Sequence, residues 1–143
     1  MKKNRIVVYT SIFNNYDNLD DPPIFYKNVD YICFTDNKKI KSLNWKIIYL
    51  KVKKKNSQKK NREIKINYFN FLFGYDYSIY HDANVILFAN PKKLIKNYLK
   101  YKDIAMPQHR YRNSTYHEGK YILNHINLPE ISKKKINKII QSP

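Results

Sequence analysis

Four short runs rich in β-branched and aromatic residues, set apart by polar loops and by stretches of helical periodicity, constrain this chain more than any other feature. Arg5 to Phe13 is the first, ended by the polar segment NNYDNLDDPP; Val29 to Thr35 is the second, stopped by Asp36-Asn37; Trp45 to Val52 is the third. After a lysine-rich connector, Ile64, Tyr68, Phe71 and Leu72 recur at helical spacing, which predicts a helix running up to a C-cap at Gly74, and YSIYHD then reads as a fourth strand. Asn90-Pro91 predicts an N-cap and first-turn proline for the helix PKKLIKNYLK. Asp103 to Met106 reads as a further short strand, and HEGKYILNHI and PEISKKKINKII as two late helices. Strands that alternate with helices and long polar loops predict an α/β fold, a mostly parallel open sheet with flanking helices, rather than a bundle or a sandwich.

The chain has 143 residues, the size of one ordinary domain, so residues 1–143 are expected to share a single organisation. Its 43% hydrophobic and 15% aromatic content suffices for a packed interior and excludes wholesale disorder, although the mean hydropathy is -0.71. The formal charge of +17 is the outlier. Nearly all the basic residues are lysine, with arginine only at Arg5, Arg62, Arg110 and Arg112, and they accompany abundant Ile, Asn and Tyr, all types with A/T-rich codons. Base composition alone can therefore produce much of the charge. A nucleic-acid-binding domain with tyrosines stacked on bases is one reading, but the scarcity of Arg and Gly counts against it.

Cys33 is the sole cysteine, so the chain has no intrachain disulfide and no cysteine-based zinc site. The N-terminal Lys2-Lys3-Asn4-Arg5 and the apolar stretch after it lack the small-residue cleavage site of a signal peptide. No later segment approaches the ~20 apolar residues needed to span a bilayer. A soluble, cytoplasmic protein is the expectation.

In an open parallel sheet, ligands bind where the strands end at their carboxyl termini. That rule selects Thr10, Ser11, Asn14, Asn15, Tyr16 and Asp17 after the first strand, Asp36 after the second and His81-Asp82-Ala83-Asn84 after the fourth. Singly, an aspartate there is most often a turn or cap residue. Asp82 and Asn84, at i and i+2 in a turn beyond a strand, can both face one cleft and hold a hard divalent cation. Only Asp82 brings charge, so affinity should be lower than with two carboxylates. His81, one residue off in the alternation, is expected on the opposite face.

Lys51 to Lys60 reads as a solvated basic loop. Arg62 and Lys65, spaced i and i+3, are expected in the first turns of a helix; they either clamp a diphosphate or belong to a lysine-rich helix surface. The third cluster, His109-Arg110-Tyr111-Arg112 with Tyr116-His117-Glu118, combines an arginine pair, two histidines and a carboxylate, a set able to bind a sugar or an anion and to transfer protons near neutral pH. His109, His117 and Arg110 equally suit an ordinary wet surface.

Together these residues carry a family resemblance. The order YTSIFNNYDNLDDP, YICFTD, a tryptophan strand, R-x-x-K before GYDYSIYHDANVIL, then HRYRNSTYHEG resembles the glycosyltransferase-like family of the plant turgor-regulation-defect and mucilage-related proteins and many bacterial polysaccharide-locus proteins. The resemblance implies a GT-A type nucleotide-diphospho-sugar fold, with a nucleotide-binding part at about residues 5–90 and an acceptor part at about 103–143. It implies a transferase that moves a sugar from a nucleotide-diphospho-sugar donor to a glycan or other hydroxyl acceptor. Thr10, Asn15, Tyr16 and Asp17 would then line the nucleotide, and Asp36 would approach its base or ribose. Arg62 and Lys65 would face the diphosphate, and Asp82 and Asn84 would stand where such enzymes commonly hold Mn²⁺ or Mg²⁺ on D-x-D. His109, Arg112 and Glu118 would lie on the sugar or acceptor side, with Glu118 the proton-accepting carboxylate and His109 the second choice.

Asn84 departs from the second aspartate of D-x-D. Where the resemblance implies further sheet and helix elements after the His/Arg/Glu segment, only two helices follow, so the acceptor part is expected to be incomplete and a second subunit is one way to complete it. A nucleotide-sugar or glycan binding module without transfer activity is the alternative that this departure favours.

Overall fold

Apolar side chains at nearly every position of the first two runs leave almost no polar face for solvent, and both runs become interior strands of one sheet. The computed structural model describes residues 4–108, 110–111 and 114–141. The chain divides into two compact units, Met1–Asp103 and Ile104–Pro143. In the first, β1 (Ile6–Ile12) is buried throughout and β2 (Val29–Thr35) is buried except at Asp30. The shorter, half-exposed β3 (Lys46–Tyr49) and β4 (Tyr77–Tyr80) take the edges of a four-stranded, all-parallel sheet of order β3-β2-β1-β4. The expected open parallel sheet with flanking helices is thus present. Ile6 pairs with Val29 on one side and with Tyr77 on the other, which sets the register of β2, β1 and β4.

Alternation along β1 divides the core in two. Val7, Tyr9 and Phe13 pack with Ile32, Phe34, Ile64 and Leu72 on one face. Ile6, Val8 and Ile12 pack with Tyr31, Cys33 and Trp45 on the other, where the Trp45 ring stands edge-on to Tyr31 at 5.5 Å. Burial raises the Cys33 thiol to about 12, so it behaves as a small apolar side chain.

The helix between β3 and β4, α1 (Ser57–Ile66), differs from expectation at both ends. It begins earlier because Gln58, Lys59, Lys60, Arg62 and Glu63 are good helix formers, although only Ile64 gives it a fully buried apolar anchor. It ends earlier because Asn67 closes it, its N–H donating to the Glu63 carbonyl at 2.7 Å, before a 3₁₀ turn at Tyr68–Asn70. Gly74 is therefore no C-cap; at φ +78° it makes the turn into β4, where an added Cβ would meet Arg5 Nη1 at 3.0 Å. Arg62 lies in mid-helix and Lys65 in the last turn, so neither stands at a helix N-terminus.

Arg5 fastens the amino ends of the strands. Its backbone N–H donates to Asp76 Oδ2 at 2.7 Å, its carbonyl accepts from Asp76 and Tyr77, and its guanidinium lies 4.7 Å over the Tyr75 ring. The Tyr75 hydroxyl in turn donates to Asp30 Oδ2 at 2.7 Å.

Past β4, Asn90 caps α2 (Pro91–Leu94) as expected, its Oδ1 accepting from Lys92 N at 3.0 Å and Lys93 N at 3.4 Å, with Pro91 in the first turn. A π-helical turn continues it to Leu99. The strand expected over Asp103 to Met106 is absent: those residues are irregular, and Ile104 is their only β-branched member.

The second unit contains both late helices, α3 (Thr115–His125) and α4 (Glu130–Gln141). Ser114 caps α3, its Oγ accepting from His117 N at 3.2 Å. Gly119 of α3 sits against Ile136 and Ile140 of α4. Among the described residues, no helix is long and apolar enough to cross a membrane.

Candidate functional site

The chain builds β1, β2 and β3 outward in one direction, then returns through α1 to place β4 on the free side of β1. The order reverses between β1 and β4, and in an open parallel sheet such a reversal point is where diverging connections form a ligand crevice. α1 lies against β1 and supplies one wall, with the Tyr9 hydroxyl donating to the Lys65 carbonyl at 3.3 Å.

A connected polar cluster occupies this position. Tyr80 closes β4 beside Tyr9, the two rings edge-on at 5.2 Å. Its hydroxyl donates to Asp82 Oδ1 at 2.9 Å and lies 3.4 Å from Asn61 Oδ1, which also accepts from Ser11 Oγ. Lys65 Nζ donates to the same Asp82 oxygen at 3.5 Å and rests 4.6 Å over the Tyr80 ring. Burial first, then the hydrogen bond to the Asp82 carboxylate, push the Tyr80 hydroxyl well above its ordinary value, so it remains a proton donor. Tyr9 is raised by burial in the same way.

The sequence pointed to Lys65 and Asp82 separately, and the fold brings them together. Ser11 was selected only as a strand-end residue, whereas Asn61 and Tyr80 were not anticipated. Two spacings could have found the latter pair: Tyr80 is two residues before Asp82, on the same side of a strand, and Asn61 is four before Lys65, on the same side of a helix. His81 faces the other way, as the alternation required, its ring 5.8 Å from that of Trp45.

The remaining residues are distributed as follows. Asn14 and Asn15 both adopt left-handed backbone (φ 58° and 52°), a conformation that asparagine tolerates, and turn the chain sharply out of β1. Asp36 Oδ1 accepts from Asn14 N at 2.9 Å, joining this turn to the end of β2. Tyr16 is 84% exposed beside the half-buried Asp17. Thr10 is fully buried on the Trp45 face of β1. Arg62 is exposed on α1, between Lys60 and Glu63, which pair with each other. Glu118 occupies the first turn of α3 in the second unit. His109 and Arg112 lie outside the described residues.

The donor set does not by itself make a divalent-cation site. Asp82 Oδ1 already accepts from a lysine and a tyrosine, and the exposed Asn84 can add only a neutral amide. Among the described residues, no group of three or more His, Cys, Asp or Glu side chains is placed to hold a metal. An ammonium group stands where a cation would neutralise Asp82.

An all-parallel sheet with flanking helices defines an α/β protein, an arrangement consistent with a glycosyltransferase-like fold. The family model for the TOD1/MUCI70 glycosyltransferase-like domain matches residues 1–137, and the chain belongs to that family. No curated protein and no solved structure matches it. Membership carries a general glycosyltransferase-like role, with a sugar donor and an acceptor.

Proposed function

We propose that the chain binds a nucleotide-diphospho-sugar in the β1/β4 crevice and transfers its sugar to the hydroxyl of a glycan or similar acceptor. The observation that carries this reading is the placement of Lys65, whose ammonium group is held at the end of β4 by Asp82 and the Tyr80 ring. Exposed on one side and tethered on the other, it can meet a diphosphate without reorganising the backbone. Arg62, one helical turn earlier on α1, adds a second cation on the same helix.

The turn at Asn14 and Asn15, with Tyr16 and Asp17 beyond it, takes the nucleoside side of the site together with Asp36. In the reaction, the acceptor oxygen forms a bond to the anomeric carbon as the bond from that carbon to the diphosphate oxygen breaks. The electron pair leaves with the diphosphate, whose growing charge Lys65 and Arg62 offset. The acceptor proton passes to a general base. Asp82, committed to Lys65, acts as an anchor for the cation.

A thermal-shift screen of nucleotide sugars, each with Mn²⁺ and with EDTA, tests the reading, because a ligand that binds only the folded state raises its stability. A shift for one nucleotide class, followed by release of free nucleotide diphosphate when acceptor is added, supports transfer. Binding with neither transfer nor hydrolysis assigns a binding module instead. No shift with any nucleotide sugar, together with polynucleotide binding that falls steeply with salt, assigns the nucleic-acid reading.

A further inference from the structure

Behind the β1/β4 crevice, on the face of the sheet away from Lys65 and Asp82, three polar atoms are buried without a partner among the described residues: Thr10 Oγ1, Trp45 Nε1 and His81 Nε2. They come from three separate parts of the first unit, yet their residues lie on one face of the sheet. The β1/β4 ladder pairs Tyr9 with Tyr80 and continues as His81 N donates to the Tyr9 carbonyl at 3.3 Å, so Thr10 and His81 are the next neighbours across it. Both project to the face opposite Tyr9 and Tyr80, where the Trp45 ring meets the His81 ring edge-on at 5.8 Å. Thr10 is 0% and Trp45 3% exposed.

The hydrogen-bonding characters of the three atoms are complementary. His81 Nδ1 lies 3.0 Å from the Asp82 carbonyl, which can only accept, so Nδ1 carries a proton and in the neutral ring Nε2 is an acceptor. Trp45 Nε1 is only a donor, and the Thr10 hydroxyl is both. Leaving such groups buried and unsatisfied is costly, whereas one water can accept from the indole, donate to the imidazole and exchange a hydrogen bond with the hydroxyl.

We propose that Thr10, Trp45 and His81 enclose a structural water behind the crevice, and that His81, fixed by it, is a positioning residue for the Asp82 turn. The imidazole is then held at both nitrogens, to the water through Nε2 and to the Asp82 carbonyl through Nδ1. The second bond fixes the backbone from which the Asp82 side chain reaches Lys65 on the opposite face. The water site stands on geometry alone; the positioning role rests on the nucleotide-sugar reading of the crevice.

Trp45 is the sole tryptophan, so its indole N–H gives a single resonance in a nitrogen-labelled sample. In the wild-type chain that proton should exchange slowly and show a cross-peak to a long-lived bound water, and His81 should be the Nδ1-protonated tautomer. An Nε2-protonated His81, or an indole proton without a bound-water cross-peak, overturns the site. His81→Phe removes both nitrogens, whereas His81→Asn retains a donor near the Nδ1 position and loses the Nε2 acceptor. Both should lose the water cross-peak, but with UDP as the probe His81→Phe should weaken binding about fivefold and His81→Asn should recover most of that loss. Equal weakening in the two variants overturns the positioning role. If the wild-type chain binds no UDP or other nucleotide diphosphate, the reading of the crevice and the positioning role fail together, while the wild-type resonances still decide the water site.

Discussion

Asp36, at the end of β2, accepts a hydrogen bond from the backbone N–H of Asn14, at the end of β1, over 2.9 Å. Two connections that leave adjacent strands are thereby joined at the carboxyl edge of the sheet, at the point where Asn14 and Asn15 take left-handed backbone. Asp36→Ala should cost about 1 kcal/mol, the worth of one such bond, and loosen the turn, while Asp36→Asn, which can still accept, should recover most of it. Urea unfolding of the three proteins checks this. Equal losses for Ala and Asn would show that charge, not the hydrogen bond, holds the turn.

Lys65 is the group on which the proposed diphosphate site depends. Lys65→Ala should weaken binding of a nucleotide diphosphate by about tenfold or more, and Arg62→Ala should weaken it by less, since only Lys65 is preset by Asp82 and Tyr80. Titration calorimetry with and without Mn²⁺ separates the lysine from a metal. Affinity that depends on Mn²⁺ and ignores Lys65→Ala would overturn the assignment.

The raised hydroxyls of Tyr9 and Tyr80 make the fold sensitive to alkali. Their folded-state values lie above the ordinary 10.0, so below about pH 10 both are protonated in either state and their contribution is fully present. Above it the unfolded chain ionises first, and the contribution is lost as pH climbs towards the folded values. Stability should therefore decline as pH rises from about 10, and Tyr9→Phe should flatten the decline. Chemical denaturation at a series of alkaline pH values gives the slope; equal slopes for wild type and variant would show that Tyr9 ionises normally.

Gly119 lets α3 pack tightly against α4. A Cβ there would lie 2.5 Å from Ile140 Cγ2, a separation that forces the helices or the isoleucine to move. Gly119→Ala should therefore increase amide exchange along α3 and α4, despite the better helix propensity of alanine, with the β1 and β2 amides unchanged. Greater protection in the variant would mean that the isoleucine yields without cost.

The strands were legible because β1 and β2 are buried on both faces and read as continuous apolar runs, a pattern that needs no tertiary information. α1 was misjudged because its start is set by the propensity of polar residues, whereas the expectation followed Tyr68, Phe71 and Leu72, which lie beyond its end. The site divides along the same line. Asp82 and Lys65 could be selected by type and spacing, and the orientation of His81 by alternation. The meeting of Ser11, Asn61 and Tyr80 required knowing that β4 pairs with β1 and that α1 lies against that pair, contacts spanning 50 and 19 residues of sequence.

The Arg5, Tyr75 and Asp30 network lies at the amino ends of the strands, the pole of the sheet remote from Lys65 and Asp82. Anchorage and chemistry are thereby insulated from each other. Strand registration is secured at the pole opposite the proposed site, so the loops at the other pole can be rewritten with little risk of the sheet slipping. A scaffold arranged in this way can change its substrate without renegotiating its fold.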